Sequence, residues 1–200
     1  MSSILGIDFS LNGTGLFFVD ENNQVDFRLF SNNKKLINIK ESIIIPDIKV
    51  QEDKLDWVII NIKNIIESKD VSFICMEDHI GKYFPWMDGY GILKKFIRDL
   101  KIPYVMISPT SIKSYACDDG KADKSQMGYY LRKEYNLDYD FLGICGNNVV
   151  DSAWMAFFAR DFRDIIFNKK QIKLSDKRKS IINKLNDKKH LWLPSKENYA

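Results

Sequence analysis

Histidine is almost missing from this sequence and cysteine is scarce: two histidines and three cysteines in 200 residues. Cys75, Cys117 and Cys145 are odd in number and widely spaced, and no pair has C-x-x-C spacing. A structural zinc site is therefore not expected, and the thiols read as ones kept reduced in a cytoplasm. Long apolar runs are missing too; Ile43 to Ile45 is typical and far too short to span a membrane. The start, Met1 followed by Ser-Ser-Ile-Leu-Gly-Ile-Asp, has no basic leader and carries a charge by position 8, so no secretory signal is expected there.

The remaining composition, 45% hydrophobic and 28% charged, is that of an ordinary soluble globular protein. Two hundred residues suit one domain with a tail. The net charge of +3 conceals an asymmetry. From Lys169 to Ala200 there are ten Lys/Arg against three Asp/Glu, which leaves twenty against twenty-four in residues 1–168. A basic end on a mildly acidic body points to a polyanionic partner, of which nucleic acid is the usual one. The expected division is a domain over 1–168 and a basic C-terminal extension over 169–200, whose cations contact phosphates.

Apolar runs at Ser3–Ile7, Gly13–Val19 and Val25–Phe30, separated by turn residues, predict an antiparallel meander. Residues 31–50 have no clean period and read as an irregular connection. Leu55, Val58, Ile59, Ile62, Ile65 and Ile66 then follow helical spacing within Gln51–Ser68. Val71–Met76 reads as a buried strand, Gly91–Leu100 as a helix and Tyr104–Ile107 as a further buried strand. Helices are expected over Ser111–Ala116, over Asp123–Tyr135, and from an N-cap at Asn147 through Ile166. This order predicts an α/β sandwich with a mixed five-stranded sheet, three antiparallel strands followed by parallel ones.

Three carboxylates stand out. Asp8 ends the first strand, Glu77 follows the apolar run Phe73-Ile74-Cys75-Met76, and Asp151 falls in the first turn of the last long helix. Ionised groups at the mouths of buried strands lose hydration energy unless something cationic meets them. Singly, each reads equally as a strand-end carboxylate facing water. Together they form a set of hard oxygen ligands suited to Mg²⁺ or Mn²⁺ rather than zinc. Two such ions roughly 3.5–4 Å apart can activate a water and stabilise the leaving oxygen of a phosphodiester.

Here the sequence resembles the RuvC-type resolvases of the RNase H-like superfamily. Ile4-Leu5-Gly6-Ile7-Asp8-Phe9-Ser10-Leu11-Asn12-Gly13-Thr14-Gly15 is similar to their opening, and Ile74-Cys75-Met76-Glu77-Asp78 to their second acidic strand. Ser108-Pro109-Thr110-Ser111-Ile112-Lys113, Gly120-Lys121-Ala122-Asp123-Lys124-Ser125 and Asn148-Val149-Val150-Asp151-Ser152-Ala153 follow in register. The likeness spans roughly residues 3–165 and is greatest to the shorter members carried by bacteriophages. It implies an RNase H-like fold, a homodimer in the cytoplasm (the host's, if phage-encoded), two Mg²⁺ ions, and paired nicks near the crossover of a four-way DNA junction. It also implies that Asp8, Glu77 and Asp151 ligate metal, that Lys124 acts in catalysis, and that Lys113 and Lys124 lie near the scissile phosphate; Lys121 is a further candidate for DNA contact.

Two departures qualify the resemblance. Asn148 stands where the family has Asp or His, three residues before Asp151 and so on the same helix face; its amide oxygen can ligate metal but brings no charge. The loop 81–90 carries Tyr83, Phe84 and Trp86, expected to stack on unpaired bases, or else to fold back onto the core or a dimer contact. Other readings stay open at this stage: the same fold acting on RNA precursors, flaps or Y-forks, or a catalytically weak module that only binds branched DNA. Gly6-x-Asp8 with Gly13-Thr14-Gly15 also resembles the first phosphate loop of actin-like ATPases, but nothing after Gly91 supplies the second lobe such proteins need.

Overall fold

The computed structural model describes residues 2–78, 87–137, 147–187 and 189–194. Strands β1 (Ser3–Asp8), β2 (Gly13–Asp20) and β3 (Val25–Ser31) form the expected antiparallel meander, with Asp8 opposite Gly15 and Gly13 opposite Ser31. Strand β4 (Ser42–Ile44) lies parallel to β3. Helix α1 (Gln51–Glu67) leads to β5 (Val71–Glu77), which runs parallel to β1, and α2 (Met87–Asp99) precedes β6 (Tyr104–Ile107), parallel to β5. Helices α3 (Pro109–Cys117), α4 (Lys124–Tyr135), α5 (Asn147–Ile166) and α6 (Asp176–Leu185) follow, and a two-residue strand β7 (Leu191–Trp192) closes the order.

The sheet has seven strands, not five, in the order β4-β3-β2-β1-β5-β6-β7. The two additional strands are its edges. Each is two or three residues long, too short for period-two alternation to register, and each is held by its neighbour rather than by its own pattern. Several helix starts also move. Helix α2 begins at Met87, and α3 begins at Pro109 because the Ser108 hydroxyl accepts from the Ser111 N–H and proline suits a first turn. Asn147 is the first helical residue of α5 instead of the residue before it.

Both faces of the central strands are buried, and their alternation divides the interior in two. Leu5, Ile7, Leu16, Phe18, Ile74 and Met76 pack under α1 and α2. Ile4, Phe17, Val19, Phe73 and Cys75 pack under the α3–α6 side, against Trp154 and Phe157 of α5. Successive side chains on a strand alternate faces. Asp8 therefore shares the face of Ile4 and Gly6, and Glu77 that of Phe73 and Cys75. Both carboxylates point toward the side covered by α5.

The segment after Lys169, expected as a basic extension, is folded onto the body through much of its length. Ile182 and Leu185 of α6 are buried in the α5-side core, and Trp192 of β7 stacks on Tyr104 with ring centroids 5.5 Å apart. Several of its cations face protein: Lys170 pairs with Asp164 at 3.0 Å and Arg178 with Glu134 at 2.7 Å. Burial of an Ile or Leu side chain contributes ~1.5–3 kcal/mol. A chain ending at Asn168 is therefore expected to lose at least about 3 kcal/mol of stability, read as a lower urea midpoint. An unchanged midpoint would mean that α6 and β7 contribute no packing.

Candidate active site

Strand ends define the site. Ile7 pairs with Met76 in the parallel β1–β5 ladder, so Asp8 and Glu77 emerge side by side where these two strands stop. Two glycines bring α5 down onto them. A Cβ on Gly6 would lie 2.0 Å from the Ser152 carbonyl oxygen, and one on Gly15 would lie 2.3 Å from that of Asn148. No side chain fits at either position without pushing the helix away. The helix turn that rests on β1 and β2 is the turn carrying Asp151. Close approach of backbone to backbone thus sets the depth at which Asp151 meets Asp8.

The turn after Asp8 is pinned by short-range hydrogen bonds. The buried Thr14 hydroxyl donates to the Ser10 carbonyl at 2.6 Å and accepts from the Ser10 N–H at 3.1 Å. The Ser10 hydroxyl also accepts from the Gly13 N–H at 3.1 Å. Beyond Glu77, the buried Tyr90 of α2 donates its hydroxyl to the Glu77 carbonyl. Helix α4 starts at Lys124 with a capping box, in which Asp123 accepts from the Gln126 N–H while the Gln126 side chain accepts from the Asp123 N–H. The Lys124 ammonium is ion-paired with Asp151.

Electrostatics tie the four groups together. Burial pushes the Asp8 carboxyl well above the usual carboxylate range; Asp151 and then Glu77 push it further, and Lys124 opposes them. Glu77 is pushed up to about 7, first by burial, then by Asp151, again with Lys124 opposing. Three carboxylates in a poorly hydrated place with one ammonium leave a deficit of positive charge. A divalent cation relieves such a deficit, and the donors are all hard oxygen. The set fits Mg²⁺ or Mn²⁺ in kind and charge. It is not drawn together for one: among the described residues, no three acidic, His or Cys side chains are gathered tightly enough to hold a metal ion. Mutual repulsion favours separation of the carboxylates, and Lys124 occupies an oxygen of Asp151.

Of the other residues expected here, Asn148 lies on the β2 flank, its amide nitrogen above Gly13, where a Cβ would come within 2.7 Å. Lys113 is half-buried on α3, and Lys121 is exposed in the loop before α4. Neither forms an ion pair with the carboxylates among the described residues. Tyr83, Phe84 and Trp86 lie outside the described residues. Two contributors escaped the sequence reading. Tyr90 reads in sequence as the last residue of the loop 81–90, whereas it lies within α2. His190 approaches Asp78 at 3.8 Å and contacts Asp187 at 2.9 Å, and the first of these pairs residues more than a hundred positions apart, which no local pattern announces.

No family model matches the chain, and no curated protein matches it by sequence. Solved structures do. RuvC from T. thermophilus in complex with a Holliday junction substrate superposes with a TM-score of 0.55 at 11% identity, covering 77% of this chain and 90% of that one. Thermus thermophilus RuvC alone gives 0.52 at 12% identity over the same shares. The yeast mitochondrial Holliday junction resolvase Ydc2 gives 0.50 at 19% identity, covering 78% of this chain and 76% of that one. The chain has the RuvC-like, RNase H-like fold: a mixed sheet flanked by helices. No helix of the described residues is long and apolar enough to cross a membrane.

The raised Glu77 pKa has a measurable consequence in metal-free protein. Folded Glu77 keeps its proton to about pH 7, whereas the unfolded chain releases it near 4.5. Between these values the native state binds more protons than the unfolded state, so stability falls as pH rises through that window. Asp8 acts in the same direction. The loss attributable to Glu77 is up to roughly 3 kcal/mol. Urea unfolding in EDTA at pH 5 and pH 8 should show it in the wild type and a smaller change in Glu77→Gln. Equal pH dependence in the two proteins would contradict the assignment.

Proposed function

We propose that this protein is a divalent-metal-dependent endonuclease for branched DNA, with a four-way junction as its substrate and a homodimer as its working form. The observation that carries the reading is the convergence of Asp8, Glu77 and Asp151 at the ends of β1 and β5 beneath the first turns of α5, with too little positive charge to balance them. The solved RuvC complex with a Holliday junction substrate supports branched DNA as the ligand class. Symmetrical nicks in two strands of a junction call for two copies of one site related by a twofold axis, and a homodimer supplies them.

In this reading Asp8, Glu77 and Asp151 hold two Mg²⁺ ions, replaceable by Mn²⁺, with Asn148 as a weaker neutral oxygen donor. When bound, such ions would supply a water of lowered pKa and positive charge beside the leaving oxygen. Lys124, freed from Asp151, turns its ammonium toward a non-bridging phosphate oxygen and steadies the developing charge as a point cation. Burial of the carboxylates strengthens these interactions by keeping competing water out. Lys113 and Lys121 neutralise flanking phosphates. Tyr83, Phe84 and Trp86 offer aromatic faces to bases opened at the junction.

The test is a cleavage series with a four-way junction, a Y-fork, a duplex and an RNA precursor, each with Mg²⁺, Mn²⁺ or EDTA. Nicking of the junction with either metal and none in EDTA is expected. Preferred cutting of RNA or forks would move the substrate while keeping the chemistry; metal-independent binding without cutting would reduce the protein to a DNA-binding module. Asp8→Asn should lower the cleavage rate by several orders of magnitude while junction binding without metal persists. Asn148→Asp should lower the Mg²⁺ concentration for half-maximal cleavage and Asn148→Ala should raise it. Superimposable titrations of the three residues at 148 would remove it from the ligand set.

A further inference from the structure

Lys124 meets Asp151 from the first turn of α4, and Arg178 on α6 contacts the far end of that helix, the end of α3 and the ring of Trp154 on α5. Helix α3 ends with backbone carbonyls that have no partner within the helix. The Arg178 guanidinium takes two of them, donating Nε–H to the Tyr115 carbonyl at 2.7 Å and Nη2–H to that of Ala116 at 3.2 Å. Its Nη1 and Nη2 also donate to both oxygens of Glu134, near the end of α4, at 2.7 and 2.8 Å. One planar fork thereby joins the ends of two helices. A positive charge at a helix C-terminus also opposes the negative end of the α3 dipole.

The same guanidinium lies over the rings of Tyr115, 4.9 Å from its centroid, and Trp154, at 5.5 Å. Trp154 belongs to α5, three residues from Asp151, and its indole N–H donates to the Met127 carbonyl in the first turn of α4 at 3.0 Å. The contacts run without a break from Arg178 through Trp154 to the turn that begins with Lys124. Around the α3–α4 loop the clasp is repeated: the Ser175 hydroxyl donates to the Asp118 carboxylate at 3.3 Å, and the Lys177 ammonium donates to the Asp118 carbonyl. The Arg178 side chain is 13% exposed. It is thus a built-in tie rather than a free surface cation.

We propose that Arg178 is a positioning residue for Lys124, and that α6 is a clamp which fixes where α4 delivers that ammonium to the carboxylate site. The structural part stands on the contacts alone; its catalytic consequence rests on the endonuclease reading. The test compares wild type with Arg178→Gln and with the milder Glu134→Gln, which keeps the guanidinium and removes only its carboxylate partner. Two readouts need no activity: acetylation rate of the Lys124 amine by mass spectrometry, and hydrogen exchange of α4 backbone amides. Both variants should acetylate Lys124 several-fold faster and exchange α4 amides faster, Arg178→Gln more than Glu134→Gln. Should Arg178→Gln fail to fold, Glu134→Gln decides. Arg178→Lys, which restores charge but not the fork, should recover only part of the protection.

For catalysis, Arg178→Gln should reduce kcat for junction cleavage about tenfold with KM little changed, and cause no further loss in a Lys124→Gln background. Unchanged Lys124 reactivity and α4 exchange in folded variants would overturn the proposal, as would kcat losses that multiply in the double variant. If wild type cuts no nucleic acid, the endonuclease reading fails while the reactivity and exchange measurements still decide the clamp.

Discussion

Everything at this site follows from an unbalanced charge: three carboxylates are brought together where water is scarce, and one lysine answers them. Burial and mutual repulsion lift Asp8 and Glu77 out of the usual carboxylate range. Such an arrangement opposes folding at neutral pH and persists only where the surrounding structure overrules it. Here the overruling structure is the sheet itself. Asp8 and Glu77 end strands whose inner residues are buried on both faces, and α5 is pressed against β1 and β2 by the absence of side chains at Gly6 and Gly15. Core packing fixes the backbone, and the backbone fixes the carboxylates.

That ordering of causes explains which parts of the molecule could be read from its sequence. Buried strands announce themselves as apolar runs, and the carboxylates of Asp8 and Glu77 were conspicuous because each interrupts one. Asp151 was placed by the helical pattern that starts at Asn147, and the strand parity of β1 and β5 turns Asp8 and Glu77 toward the helix that carries it. The edge strands escaped notice because β4 and β7 depend on neighbours rather than on their own pattern. Tyr90, His190 and Arg178 escaped for a related reason. Their partners, the Glu77 carbonyl, Asp78, and the Tyr115 and Ala116 carbonyls, are remote in the chain, and local periodicity carries no information about them.

The C-terminal segment shows how composition can mislead about location. Ten cations after residue 168 suggest a solvated arm reaching for phosphates. The structure uses some of that charge internally, on Glu134, Asp164 and the Asp118 carbonyl, and uses the apolar residues between to extend the core and the sheet. A segment of this kind can serve both purposes: cations engaged with protein order the α3–α4 region, and those left exposed remain available to a polyanion. Contacts then run from the tail through Arg178 and Trp154 to the first turn of α4.

The central claim is that the carboxylate cluster is a cation site held partly protonated until a cation arrives. Calorimetric titration of the DNA-free protein with Mn²⁺ at pH 6.5, repeated in buffers of different ionisation enthalpy, measures both binding and the protons released. With Glu77 titrating at about 7, binding should release a substantial fraction of a proton from that residue, and Glu77→Gln should lose that release along with much of the affinity. Failure to bind Mn²⁺, or binding with a proton count that is the same in wild type and Glu77→Gln, would contradict the account.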